Sequence, residues 1–390
     1  MAVIGAGVVG MAQAITLAEM GYKVTIYSDA QKSSALQLYD GFIRIMHSLS
    51  IPIPNRFNEA MLDLMLKPKP GMASVAASGI FQPYALIRKE DEPLNSGERE
   101  RERLEKVWTE LTETSYKRFK SLLSENCGVE EIRHTEVLEA REQMPFYANV
   151  MKDFRETTTR APDGSVKPAW EFTTFGVEMG RYLAYLHRRF AELGGRIVIK
   201  HLTPAALSSL PEPVIFNCTG AGARELRHDN EMRVAKGLTL LLKPAKGAQP
   251  VSIGDGDFDI VSLPGARVKL GCGYTEQKTD TTEPDKADYA MILGKASSQA
   301  HTEWARFNGL AGTLREVKAR GSAAVSKAIT GVFATKKRGP RIEASVSDHG
   351  KVIVDNYAHG YCGMTLSWGA AEAAVREWLR IDASTCPAAS

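Results

Sequence analysis

Two widely separated glycine clusters carry the chemistry that can be read from this chain. Near the start, Gly5-Ala6-Gly7-Val8-Val9-Gly10 has G-x-G-x-x-G spacing. That pattern suits a dinucleotide diphosphate. Gly5 permits a tight turn, Gly7 lets the backbone approach the anion, Gly10 lets helix and strand close up, and the amides around Val8 and Val9 open a helix toward the phosphates. An acid about 20 residues on takes the ribose hydroxyls. Asp29, preceded by Ser28, stands 29 − 10 = 19 positions beyond Gly10. Near the other end, Asn356-Tyr357-Ala358-His359-Gly360-Tyr361-Cys362-Gly363 forms a second glycine loop, followed by Met364 and Thr365.

Positioning these loops requires particular elements. Ala2 to Ile4 reads as the end of a buried strand, Met11 to Met20 as a helix closed by Gly21, and Tyr22 to Tyr27 as a second strand, so the first motif sits in a complete βαβ unit. Lys351 to Asp355 alternates like a strand, and Met364 through Trp378 has helical composition, repeating the order of strand, glycine loop and helix. The first fingerprint does not separate FAD from NAD, although a first strand at the very start of the chain leans toward FAD. The second loop decides for a flavin. A helix start beneath a redox ring offers amides and a positive dipole end to the N1–C2=O edge, where negative charge gathers on reduction.

Composition narrows the partners. The 390 residues suffice for two domains, and 49 Lys and Arg against 46 Asp and Glu leave a net charge of +3, with no basic field for nucleic acid or an anionic membrane. Small-molecule partners follow. Cys127, Cys218, Cys272, Cys362 and Cys386 are scattered, without C-x-x-C or metal spacing, which fits a reducing compartment. Met1 to Ala18 carries no charge, but its three glycines and the lack of a basic flank argue against a signal peptide or anchor.

Several segments resemble the D-amino acid oxidase family in order and over nearly the whole chain. They are the opening VIGAGVVG, Ala76-Ala77-Ser78-Gly79-Ile80-Phe81-Gln82-Pro83-Tyr84, Phe216-Asn217-Cys218-Thr219-Gly220, Pro340-Arg341-Ile342-Glu343, and HGYCGMTLSWGAAEAA. The resemblance implies an α/β fold: a Rossmann-type FAD-binding domain of the glutathione-reductase type, interleaved with a substrate domain on a large mixed β-sheet. The FAD-binding domain is expected at 1–86, 178–236 and 331–390, and the substrate domain at 87–177 and 237–330. FAD is expected to bind noncovalently. Its implied contacts, beyond the two glycine motifs with Ser28 and Asp29, are Ser74, Ser78, Gly79, Ile80, Leu202, Cys218, Thr219, Gly220, Arg341, Gly360, Tyr361, Gly363, Met364 and Thr365.

The resemblance also implies that the flavin oxidises a C–N bond by taking hydride at N5, so no catalytic acid or base is assigned. What departs from the family is the carboxylate clamp. Its arginine belongs in a G-x-R-P stretch, where this chain reads Gly331-Val332-Phe333-Ala334-Thr335, placing Phe333 or Ala334 there. Its two tyrosines, counted back from Pro264-Gly265, fall on Val261 and Asp257. An arginine hydrogen bond to a buried carboxylate is worth about 1.5–3 kcal/mol. A pocket of Gln82, Tyr84, Val261, Phe333, Lys337 and Gly360 is therefore expected to take an amine or modified amino acid rather than an ordinary free D-amino acid. Oxygen is the expected electron acceptor. The competing readings are a flavoprotein with non-amine chemistry, such as alcohol oxidation or isomerisation, and an NAD(P)-dependent dehydrogenase sharing only the opening fingerprint.

Other residues admit two readings each. Lys336, Lys337 and Arg338 either restore a cation or form a solvated basic loop. His359 is a catalytic base or a loop-holding hydrogen-bonder, Cys362 a flavin link or a small buried residue, and Arg341 a flavin contact or a packing residue. An insertion at 31–71 reads as two helical pieces split by Ile51-Pro52-Ile53-Pro54, either a pocket cap or a peripheral hairpin. Glu98 onward is a charged helix with an apolar stripe of Leu104, Val107, Trp108 and Leu111. Lys278 to Asp288 reads as an exposed loop. The chain ends Pro387-Ala388-Ala389-Ser390, without a peroxisomal tripeptide, and the cytoplasm is the expected location.

Overall fold

Short apolar runs from both ends of the chain pair into one buried sheet. The structure, a computed structural model, describes residues 1–29, 71–83, 98–276, 286–336 and 339–385. The strands are β1 (Ala2–Ile4), β2 (Thr25–Ser28), β3 (Gly71–Met72), β4 (Val129–Val137), β5 (Lys152–Arg160), β6 (Val166–Val177), β7 (Arg196–Ile199), β8 (Val214–Asn217), β9 (Arg233–Leu241), β10 (Val251–Gly254), β11 (Phe258–Ser262), β12 (Lys269–Glu276), β13 (Lys327–Thr335), β14 (Arg341–Val346) and β15 (Val352–Tyr357).

The first sheet runs β14-β15-β8-β1-β2-β7. The five strands from β15 to β7 are parallel, and β14 joins antiparallel to β15. Parallel strands need both faces covered, which explains why β1 and β8 are almost wholly apolar. Helix α1 (Val8–Glu19) covers one face through Met11, Ile15 and Leu17, which have no exposure. Met20 caps that helix and Gly21 follows at φ +89°, so β2 enters the ladder only at Thr25, three residues later than the expected Tyr22.

The second sheet has nine strands in the order β3-β13-β9-β12-β11-β10-β4-β6-β5. It takes the whole of β13, which pairs antiparallel with β9 from Lys327 to Thr335, and β3 joins β13 in parallel. Residues 331–335 and 71–72, expected in the cofactor body, therefore belong to this sheet's hydrogen-bonding ladder. One face packs through Leu238, Leu240, Ile260 and Leu270 on the helices Lys286–Ser298 and Ala311–Arg320.

Three long helices join the layers: α2 (Glu98–Leu122), α3 (Met179–Glu192) and α4 (Gly363–Thr385). On α2 the buried stripe includes Trp108, Leu111, Phe119 and Leu122, whereas Val107, about 100° round the helix from Trp108, falls at the edge of that stripe and is exposed. α2 crosses α4 so closely at Gly369 that a Cβ there would lie 2.1 Å from the Leu111 carbonyl oxygen, and Gly369 N donates to Ser115 Oγ at 2.8 Å. Of the expected insertion only residue 71 is described; 31–70 lie outside the described residues, as does most of the 278–288 segment. Asp288 itself stands in the first turn of the helix Lys286–Ser298.

Candidate active site

An elongated cleft of about 620 Å³ runs across the carboxyl ends of β1, β2, β8 and β15 and onto the floor of the nine-stranded sheet. At one end Ser28, Asp29 and Leu202 line it. His201, which the sequence did not single out, adds its Nδ1 at 3.6 Å from Asp29 Oδ2, and Lys200 N donates to Ser28 O at 2.8 Å.

In the middle lies the glycine turn. Gly5 adopts φ +103°, and a Cβ there would stand 2.5 Å from the Cys218 carbonyl oxygen. At Gly10 a Cβ would stand 2.0 Å from the Gly5 carbonyl oxygen, so this glycine sets how closely α1 approaches the turn. Gly10 acts there without lining the cleft, which Gly5, Gly7, Val8 and Val9 do. Ser74 Oγ accepts from Val8 N at 2.9 Å, placing a hydroxyl at the opening of α1. Opposite, Cys218 N donates to Ile4 O at 2.9 Å, and Thr219 Oγ1 donates to Asn217 Oδ1 at 2.7 Å, fixing the turn that presents Cys218, Thr219 and Gly220.

The two chain ends meet here. Asn356 Nδ2 donates to Gln13 Oε1 at 3.0 Å, across 343 positions of sequence. Gly360, Tyr361, Gly363 and Met364 border the cleft at the start of α4. Ala358 holds φ +61°, and the backbone of His359 bridges Thr335, so the loop is braced against the end of β13. His359 is buried, which pushes its imidazole down to about 4, and its Nε2 meets no partner among the described residues. His359 itself borders the cleft. Cys362 turns toward Leu111 and Leu366 and does not border the cleft, which favours the packing reading for that thiol.

At the far end Ser78, Gly79, Ile80 and Phe333 line the cleft, the last with its ring 4.4 Å from that of Tyr361. Direct pairing places Phe333, Ala235, Gly237, Thr239, Gly271 and Asp259 on one face of the sheet, since Phe333 opposes Ala235, Thr239 opposes Gly271 and Gly271 opposes Asp259. Asp259 and Gly271 border the cleft, and Val261 does not: it has no exposure and packs with Ile80, Ile132 and Leu263. The segment over the floor covers it.

Three further expected contacts lie off the cleft. Gln82 is 1% exposed; its Nε2 donates to Tyr147 Oη at 3.1 Å, its backbone carbonyl accepts from Thr365 Oγ1 at 3.3 Å, and its Oε1 meets no partner among the described residues, so Gln82 and Thr365 pair behind the wall. Arg341 turns into an ion cluster, with Nη1 3.4 Å from Asp229 Oδ2 and 3.2 Å from Tyr357 Oη. Lys336 belongs to the same cluster, at 2.7 Å from Asp229 Oδ2 and 3.1 Å from Glu231 Oε2. Neither cation is available as a substitute clamp. Burial opposes the charge on Asp229, but hydrogen bonds from Lys336 and Tyr357 outweigh it and hold that carboxyl below the usual range. Tyr84, Lys337 and Arg338 lie outside the described residues.

The cleft fits FAD on its own geometry. It is continuous from an acid beside a ribose position, past a helix opening with no side chain at Gly7, to a second helix opening at Gly363, and it is flanked by the amides of Gly79 and Ile80. The residues that would hold FAD are Asp29 and Leu202 at the adenosine end, Gly7 to Val9 and Thr219 at the diphosphate, and Ser78 to Ile80 with Gly363 and Met364 around the ring.

The family model described as FAD dependent oxidoreductase, DAO, matches residues 67–377, well over half of the chain. Among curated proteins, a D-amino-acid oxidase of Dictyostelium discoideum is 28% identical over 60% of this chain and 62% of its own length. A D-amino-acid oxidase of Streptomyces coelicolor is 28% identical over 51% of this chain and 57% of its own. These matches span less than two thirds of either relative. Among solved structures, a glycine oxidase from Geobacillus kaustophilus superposes with a TM-score of 0.63 at 13% identity, covering 97% of this chain and 94% of that one. An iminodiacetate oxidase from Chelativorans sp. BNC1 does so with 0.60 at 14%, covering 97% and 95%. Both likenesses concern the fold.

Proposed function

The chain belongs to the DAO family of FAD-dependent oxidoreductases, and on that premise we propose that it oxidises a C–N bond of an amine or modified amino acid, not an ordinary free D-amino acid. The observation that carries the substrate class is the aromatic wall in the stretch where the family's arginine is expected: Phe333 lies against Tyr361, with Lys336 and Arg341 turned away to Asp229. An ordinary amino-acid carboxylate seated there would lose its hydration without a guanidinium partner. A cyclic amine, an N-substituted amino acid or a biosynthetic intermediate of low anionic charge suits that wall better. Names of relatives and neighbours, D-amino-acid, glycine and iminodiacetate oxidases, support amino and amine substrates as the class.

Bound in the cleft without a covalent link, FAD would accept hydride from the carbon next to nitrogen. The protein's own work is positional. Gly7 and the opening of α1 seat the diphosphate, and the start of α4 presents amides to the ring. Segment 76–80, strapped to the sheet floor, shapes the wall opposite, and the apolar ring pair excludes water from the reacting carbon. We propose oxygen as the acceptor. Free buried thiols at Cys127, Cys218 and Cys362 support a reducing compartment such as the cytoplasm. Among the described residues no helix is long and apolar enough to cross a membrane.

Steady-state assays with cyclic and N-substituted amines beside neutral D-amino acids, following peroxide and carbonyl product, test this. Turnover confined to the first group is expected. Good kcat/KM on D-alanine or D-leucine would overturn the substrate class.

A further inference from the structure

Lys269 is buried to 4% exposure beneath the segment that flanks the ring end of the cleft. Its Nζ donates to Val177 O at 2.8 Å and to Ser78 O at 3.2 Å, and a Cβ on Gly79 would lie 3.1 Å from it. Two carbonyl acceptors suit an ammonium, which offers three donors and no acceptor. Burial pulls the pKa of this amine down, while the carboxylate of Glu178 works in the opposite direction.

The peptide units above it are wired in one sense. The Ser78 carbonyl accepts from Lys269, and the Gly79 carbonyl accepts from Val177 N at 2.6 Å. The N–H groups at the other ends of those same peptides belong to Gly79 and Ile80. Both residues border the cleft, and neither amide donates to an acceptor among the described residues. A hydrogen bond to a peptide oxygen draws electron density toward it and strengthens the N–H across the same unit, most when the donor is charged. One tether lacks this property. Thr239 Oγ1 donates to Ala76 O at 2.6 Å, which holds the segment down without supplying a charge.

We propose that Lys269 polarises the Ser78–Gly79 peptide, so that the Gly79 amide, beside that of Ile80, stabilises negative charge arising at the ring end of the cleft. Lys269 is thus a positioning residue that acts through backbone amides and sets the electron affinity of whatever ring they face. The inference rests on FAD binding in this cleft, but not on any particular amine as substrate.

The test uses the flavin-loaded protein and inorganic sulfite, which bleaches an electron-poor flavin reversibly and needs no amine. In Lys269→Met we expect the sulfite Kd to rise about tenfold. That change corresponds to a midpoint potential about 30 mV lower for a two-electron couple. Lys269→Gln, which keeps hydrogen-bond donors without the charge, should shift in the same direction and serves if the methionine variant does not fold. Sulfite binding and potential unchanged in both Lys269 variants, with flavin still bound, would overturn the proposal. Parent sulfite affinity in Lys269→Gln alone would also overturn it, because the charge would then contribute nothing. A parent protein that takes up no flavin would instead defeat the proposed function itself.

Discussion

Replacing Asp229 with asparagine should loosen the seam between the two sheets and with it the cleft. Asp229 has 3% side-chain exposure and faces Lys336 Nζ at 2.7 and 2.9 Å, Tyr357 Oη at 2.7 Å and Arg341 Nη1 at 3.4 Å. Lys336 follows the end of β13, and Tyr357 ends β15 and lines the cleft, so the cluster joins one sheet to the other beside the glycine loop. Removing one partner of a buried ion pair costs about 3–5 kcal/mol. Lys336 retains Glu231 and is 13% exposed, and asparagine keeps one acceptor oxygen, so about 2–3 kcal/mol is expected at pH 7. Urea denaturation of the flavin-loaded protein, with m unchanged, reads this directly. The sign with pH is fixed. The native carboxyl titrates below its ordinary value, so its stabilisation is complete above that ordinary value, about 3.9, and is lost as pH falls through the native one. The gap between Asp229→Asn and parent should therefore close in acid. A loss under 0.5 kcal/mol at pH 7, or a gap that does not narrow, would refute the reasoning.

Phe333→Arg should return a carboxylate partner to the cleft and lower KM for a neutral D-amino acid by roughly ten- to a hundredfold, the equivalent of about 1.5–3 kcal/mol; an unchanged KM would show that this wall does not face substrate. Gly10→Ala drives a Cβ to 2.0 Å from the Gly5 carbonyl oxygen, and overpacking of about 1–3 kcal/mol should weaken FAD binding about five- to a hundredfold by fluorescence titration. His187 and His359 are both held down to about 4 by burial, so the folded state refuses protons that the unfolded chain accepts at about 6.5. Stability should be full above pH 6.5 and fall as pH drops toward 4, by about 3 kcal/mol per histidine, and His187→Leu should flatten that slope. An equally steep slope in that variant would rule His187 out as a contributor.

Local chemistry made the cofactor half of the site legible. The glycine turn, the Asn217-Cys218-Thr219-Gly220 turn and the loop before α4 each depend on backbone conformations that few residues adopt, so they leave marks in sequence. Pairing between distant strands leaves none. Asp259 and Val261 share a face by the period of a strand, and only the segment crossing above decides that Val261 is covered and Asp259 borders the cleft. Arg341 read as a cofactor contact because nothing nearby in sequence announces Asp229, 112 positions earlier, as its partner. Lys269 went unnoticed for the same reason: its acceptors, Ser78 and Val177, are 191 and 92 residues away. His201 had a signal, its place beside Leu202 after β7, that sequence reasoning passed over.

Equilibrium titration of the cofactor-free protein with FAD and, separately, with NAD and NADP is the most direct test of the central claim that both chain ends build one flavin cleft. Saturable binding of a single FAD per chain, weakened in Gly10→Ala and untouched by an excess of either nicotinamide dinucleotide, is the predicted result. Tight binding of NAD or NADP with no uptake of FAD would contradict it.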